Sequence, residues 1–113
     1  MTESEWTRKI CKELELTGAL IFAIVGAKMQ ASGWPDRLVI CKGWCGLIEF
    51  KAAKKWLTSL QEVIVGRIIR RGRYVYIARM PGELFWGNEK VGEFCNGVEL
   101  LQLILEHSQI KCL

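Results

Sequence analysis

Near the start of the chain, Trp6, Ile10 and Leu14 recur every four positions, which is the period of one helix face. Thr2 followed by Glu5 fits a capping box, and Gly18 is a natural stop, so the pattern predicts a helix from Glu3 to about Leu16. The Leu-, Ile- and Val-rich run from Leu20 to Val25 reads as a strand, and Gly26 to Trp34 as a loop. Two short apolar runs, Leu38 to Cys41 and Leu47 to Phe50, flank the turn Lys42-Gly43-Trp44 and read as a hairpin. Thr58 opens a second helix with Gln61 at the N3 position of another capping box. Its apolar stripe of Leu60, Ile64 and Ile68 continues to about Arg71, where Gly72 stops it. Tyr74 to Ala78 reads as a strand, and Pro81-Gly82 as a turn. Asn96 with Glu99 caps a last helix running to about Glu106. The order helix, three strands, helix, strand, helix predicts one α/β domain over residues 1–113. Its sheet of about four strands is mixed, because a helix between the third and fourth strands permits a parallel crossover.

Composition agrees with that picture and narrows the class. Of 113 residues, 50% are apolar and 25% charged, the balance of a globular chain that can build one core of modest size. The longest apolar run, from Gly18 to Ala27, is about half the length a membrane span needs. Acidic residues crowd the N-terminus where a signal peptide would be basic. The expectation is a cytoplasmic protein with no membrane partner. Five cysteines are an odd number, and the local pair Cys41 and Cys45 has no two further ligands nearby, the single histidine being His107. Free thiols in a reducing compartment are expected rather than a zinc site.

Charge is segregated. Residues 51–79 carry eight basic side chains and one acid, Glu62, while the rest of the chain is net acidic, although the whole has a formal charge of +4. A basic middle third suits a polyanionic partner such as nucleic acid. Lys54, Lys55, Arg67, Arg70, Arg71, Arg73 and Arg79 are the candidate phosphate contacts, because positioning on nucleic acid is mostly backbone electrostatics. Five tryptophans, at 6, 34, 44, 56 and 86, are many for this length. Trp6 belongs to the core face of the first helix. Trp34, Trp44 and Trp56 fall in loops or just before a helix, where they suit either unpaired bases or a subunit interface.

Candidate chemistry lies in the hairpin. Asp36 follows Pro35 just before one strand, and Glu49 and Lys51 sit two residues apart near the end of the next. Strand side chains alternate, so Glu49 and Lys51 share a face while Ile48 and Phe50 point into the core. Antiparallel pairing of the two strands would bring Asp36 beside Glu49. Two carboxylates suit a hard divalent cation such as Mg2+ or Mn2+, which polarises a phosphodiester and lowers the pKa of bound water. The carbonyl of Phe50 is a further candidate ligand. A lysine beside them can orient that water and stabilise negative charge developing on phosphorus. The same residues would equally make an ordinary surface ion pair.

The run Gly33-Trp34-Pro35-Asp36-Arg37-Leu38-Val39, then a turn, then Ile48-Glu49-Phe50-Lys51-Ala52 and finally Leu60-Gln61, resembles the VRR-NUC family of the PD-(D/E)xK nuclease superfamily. The resemblance spans roughly residues 3 to 79. It departs from the family at Trp34, where a small aliphatic residue is usual. It implies a restriction-endonuclease-like core and metal-dependent cleavage of DNA, with structure-selective action on branched or Holliday-junction DNA as its suggestion. It also implies a homodimer, since the family's small stand-alone members, often phage-encoded, pair. A first-helix glutamate near the metal is implied too. Glu3 shares the apolar face and fits best, while Glu5 points away and Glu13 lies at that face's edge. Gln61 would reach bound water or phosphate as well as cap its helix, and Lys28, upstream of the Pro-Asp motif, would contact phosphate. The alternative from another class is a non-catalytic nucleic-acid-binding module that kept the fold. Against it, binding alone has no use for two carboxylates beside phosphate.

Overall fold

The computed structural model describes residues 1–24, 33–41 and 43–112, with only the backbone for 110–112. The elements run α1 (Glu3–Leu16), β1 (Leu20–Ala23), β2 (Arg37–Cys41), β3 (Trp44–Lys51), α2 (Ser59–Arg70), β4 (Tyr74–Arg79), β5 (Glu83–Trp86), β6 (Glu89–Glu93) and α3 (Gly97–Cys112). The sheet has six strands in sequence order, two more than the sequence pattern predicts. The extra pair, β5 and β6, is an antiparallel hairpin turning at Gly87 and Asn88. β1, β2 and β3 are antiparallel, while β3 and β4 are parallel because α2 carries the chain back across the sheet. The mixed α/β architecture is as expected. The far end of the predicted first strand, at Val25, and Lys28 with the loop as far as residue 32 lie outside the described residues.

The period-2 alternation divides the sheet into two faces. On one, Val39, Ile48, Phe50, Tyr76 and Ala78 are buried with Trp6, Ile10 and Leu14 of α1 and with Leu100, Leu101 and Ile104 of α3. On the other, Leu47, Glu49, Val75 and Ile77 lie on the side where α2 packs, and α2 buries Val65. Sheet burial on both faces explains why β4, the strand at the centre of this arrangement, reads as a continuous apolar run. Trp44, expected in a loop, opens β3 instead. Its indole N–H donates to Ser108 Oγ of α3 at 3.0 Å.

All three predicted N-caps are present, but the reciprocal box forms at Thr58 and not at Thr2. Thr2 Oγ1 accepts from Glu5 N at 3.1 Å, and Thr58 with Gln61 makes a reciprocal capping box. At the start of α3, Asn96 Oδ1 accepts from Glu99 N as predicted, and Glu13 Oε1 of α1 accepts from Gly97 N at 2.9 Å, a contact no local pattern announces. A Cβ at Gly97 would lie 2.7 Å from Glu13 Cβ and from Ile10 O, so only glycine lets α3 approach α1 this closely.

Candidate active site

The candidate residues gather where the end of β3 meets the start of β2. Arg37 pairs with Ile48 in the antiparallel register, which carries the preceding Asp36 up to Glu49. Asp36, Glu49, Lys51, Glu3 and the backbone of Phe50 line one cleft of about 420 Å³, together with Ala52, Lys55 and Trp56. Phe50 contributes only main chain there, because its ring is buried edge-on against Trp6 with centroids 5.8 Å apart. The N-terminal ends of two helices approach the cleft, α1 through Glu3 and α2 through Gln61. Both present the positive end of the helix dipole.

Gln61 ties the site together. Its Oε1 accepts from Thr58 N at 2.9 Å, completing the capping box, and also from Lys51 Nζ at 2.9 Å. Its Nε2 donates to Glu49 Oε2 at 3.3 Å. Lys51 Nζ lies 3.5 Å from the same Glu49 oxygen. One amide thus caps a helix and fixes the lysine and the carboxylate relative to each other.

Burial makes these carboxylates expensive to ionise. Glu49 is only 6% exposed, and desolvation raises its pKa above the usual carboxylate value, with the Lys51 charge and hydrogen bond opposing. Asp36 is pushed up to about 7, first by desolvation and then by the negative charge of Glu49, against a smaller pull from Arg37. Its Oδ1 is buried with no hydrogen-bond partner, the Arg37 guanidinium standing 3.9 Å away. A buried oxygen without a donor is costly unless something else meets it.

The donor set decides what that could be. Among the described residues, no three His, Cys, Asp or Glu side chains gather as a ready-made metal cluster. Cys11, Cys41, Cys45 and Cys95 are free thiols. Two carboxylates and a main-chain carbonyl still fit a hard cation of the magnesium kind, which keeps several waters and takes only one or two protein carboxylates. Asp36 and Glu49 would hold it, the buried and unpartnered Asp36 Oδ1 being one of the donors. Glu3 lines the same cleft and accepts from Thr7 Oγ1 at 3.1 Å, within a turn of α1. Glu5 is exposed beside the N-cap, and Glu13 is committed to Gly97 and Lys9, so of the three candidate glutamates Glu3 is the one in the cleft.

The basic residues divide into two sets. Lys55 lines the cleft with Lys54 before it in the chain, while Arg67 and Arg70 at the far end of α2, and Arg71 and Arg73 just past it, are exposed. At 1.5 Å rise per residue, Arg67 to Arg71 lie roughly 9–15 Å along the helix axis from Gln61. Arg79 does not join either set. Its Nε and Nη2 pair with Glu83 Oε1, both at 3.0 Å, and its guanidinium stacks over Phe85 and Trp56. Sequence reasoning did not single out Arg37 or Arg8, which line an adjoining cleft of about 430 Å³ that shares Glu3 and Asp36 with the first. Arg37 was legible in one respect, as the residue directly after the Pro-Asp pair.

No family model matches the chain, and no curated protein matches it. Among solved structures it is similar to Hjc, a Holliday junction resolvase of the archaeal hyperthermophile Archaeoglobus fulgidus. The TM-score is 0.57 at 18% identity, over 77% of this chain and 84% of that one. The strand order, the parallel β3–β4 pair bridged by α2, and this likeness give the chain a restriction-endonuclease-like α/β fold, a mixed sheet flanked by helices.

Proposed function

We propose that the protein is a Mg2+- or Mn2+-dependent nuclease that hydrolyses DNA phosphodiesters, of the VRR-NUC type its motif resembles. The observation that carries this reading is the meeting of Asp36, Glu49 and Lys51 in one cleft, with Gln61 bonded to two of them. A cation bound by Asp36 and Glu49 would polarise the phosphodiester and lower the pKa of a water molecule. The chain's own groups do the rest. Lys51 presents its ammonium from a fixed position, aimed by Gln61, where it orients the attacking water and stabilises charge developing on the phosphoryl oxygens. The carbonyl of Phe50 adds a fixed dipole at the same point. Lys54 and Lys55 hold the backbone at the cleft, and Arg67, Arg70, Arg71 and Arg73 hold it beyond α2.

Branched DNA is the first substrate to try, because the matched solved structure is named as a Holliday junction resolvase. A homodimer in the cytoplasm completes the proposal. Leu20 (57% exposed) and Phe22 (51%) sit on the edge strand β1 beside Ile40 of β2, an apolar stripe suited to a second copy. None of the helices among the described residues is long and apolar enough to cross a membrane. The test is incubation with linear, flapped and four-way DNA in Mg2+ or Mn2+ and then in EDTA. Metal-dependent cleavage supports the proposal. DNA bound but uncut under every condition would favour the non-catalytic module instead.

A further inference from the structure

The segment between β3 and α2 joins Lys51 to Gln61, so its shape sets the wall of the cleft. It is held in an unusual way. Lys54 has φ 65°, a left-handed conformation that side chains other than glycine rarely adopt. The turn closes with Lys55 N donating to Ala52 O at 3.1 Å, and Met80 N donates to Lys51 O at 3.0 Å. Strain of this kind persists only where the surroundings enforce it.

What enforces it comes from β4 and β5. Arg79 Nη1 donates to Lys55 O at 3.4 Å, while its Nε and Nη2 are fixed by Glu83. Lys90 Nζ, 3.4 Å from Glu83 Oε2, braces that carboxylate from β6. The Arg79 guanidinium lies 4.8 Å from the Phe85 ring and 5.6 Å from the Trp56 ring, and Trp56 meets Phe85 edge-on at 4.9 Å. A chain of contacts from the outer hairpin therefore ends on Trp56, a half-buried indole lining the cleft beside Lys51 and Lys55. Nothing in the hydrolytic chemistry needs an indole there. An aromatic face held rigidly next to a phosphate site is what stacks on a nucleobase, and it does so only if that base has left its own stack.

We propose that Trp56 is a base-stacking wall of the cleft, that Arg79 is the positioning residue that holds it, and that the site therefore selects a phosphodiester next to an unstacked nucleotide, as at a branch or a single-stranded flank. The inference rests on the nuclease reading above and specifies its substrate. It also reassigns Arg79, which the basic run in the sequence presents as a phosphate contact.

The probe is a flapped DNA duplex carrying 2-aminopurine at the first unpaired nucleotide of the branch, with Ca2+ replacing Mg2+ so that binding is read without cleavage. Anisotropy of a dye on the far duplex end reports binding, and 2-aminopurine emission reports stacking. Wild type and Trp56→Phe should bind and quench the emission. Trp56→Ala should lose the quenching and bind the flap roughly 5- to 100-fold more weakly, the loss expected of one base–aromatic stack. Its affinity for fully paired duplex should not change. Arg79→Gln, checked for folding by its melting curve, should reduce the quenching while leaving duplex affinity in place. If it unfolds, Trp56→Ala against Trp56→Phe decides alone. Equal quenching in wild type and Trp56→Ala, with DNA bound, would overturn this inference and leave the nuclease reading standing. Failure of the wild type to bind any DNA would overturn both.

Discussion

Asp36→Asn removes one charge and almost no volume, and it separates what the site costs from what the site does. The Asp36 pKa rises from 3.8 to about 7 in the folded chain. Between those values the folded state holds a proton that the unfolded state has released, so stability falls as pH rises through this window. It is highest below the unfolded value, and the full penalty is in place above pH 7. Three units correspond to about 4 kcal/mol at 1.36 kcal/mol per unit. The Asp36 side chain is 29% exposed, and screening by that water brings the expected effect to about 2 kcal/mol. Asparagine carries no such penalty. In EDTA at pH 8 the variant should melt about 8 °C above the wild type, at about 4 °C per kcal/mol for a chain of this size. The gap should close as the pH is lowered to 4. Circular dichroism melts across that range read both, and DNA cleavage by the same variant should be lost. A variant less stable than the wild type at pH 8, or a difference that ignores pH, would refute the claim that Asp36 is held against its own ionisation.

Other residues give sharper contrasts. Gln61→Ala should lose about 1 kcal/mol from the broken capping box and, separately, slow cleavage by freeing Lys51, which melting curves and single-turnover rates distinguish. Glu3→Gln should weaken metal-dependent cleavage, whereas Glu13→Gln should lower the melting temperature and leave cleavage intact, because Glu13 serves the start of α3. Arg73→Ala should weaken binding to all DNA sequences alike and reduce the slope of log affinity against log salt by about 0.9, the value of one phosphate contact.

The sequence carried the pairings of the candidate site because they are local. Period-2 alternation places Glu49 beside Lys51, antiparallel pairing returns Asp36 to them, and Thr58 with Gln61 announces a helix start whose amide then reaches the same cleft. Long-range partnerships were not legible. Glu13 accepts from Gly97, 84 residues away, and no local pattern says so. Arg79 lies in a run of positive charge, and its true environment depends on a hairpin that hydrophobic periodicity hides. β6 is exposed and mostly polar, so it shows no apolar alternation. Its one signal was the Gly87-Asn88 dipeptide between Trp86 and Glu89, a two-residue hairpin turn. The Glu3 choice rested on its angle along the helix and on the position the family resemblance implies, and the structure places that residue, alone of the three candidates, at the cleft.

The most direct measurement is the single-turnover rate of Lys51→Ala against wild type, on the best-cleaved DNA at saturating Mn2+. A lysine that orients water and stabilises the developing charge should be worth roughly 10²- to 10⁴-fold. A loss of that size, with DNA affinity retained and no cleavage by either protein in EDTA, is the expected result. An unchanged rate in the variant, or cleavage that persists in EDTA, would contradict the assignment of Asp36, Glu49 and Lys51 as a metal-dependent hydrolytic site.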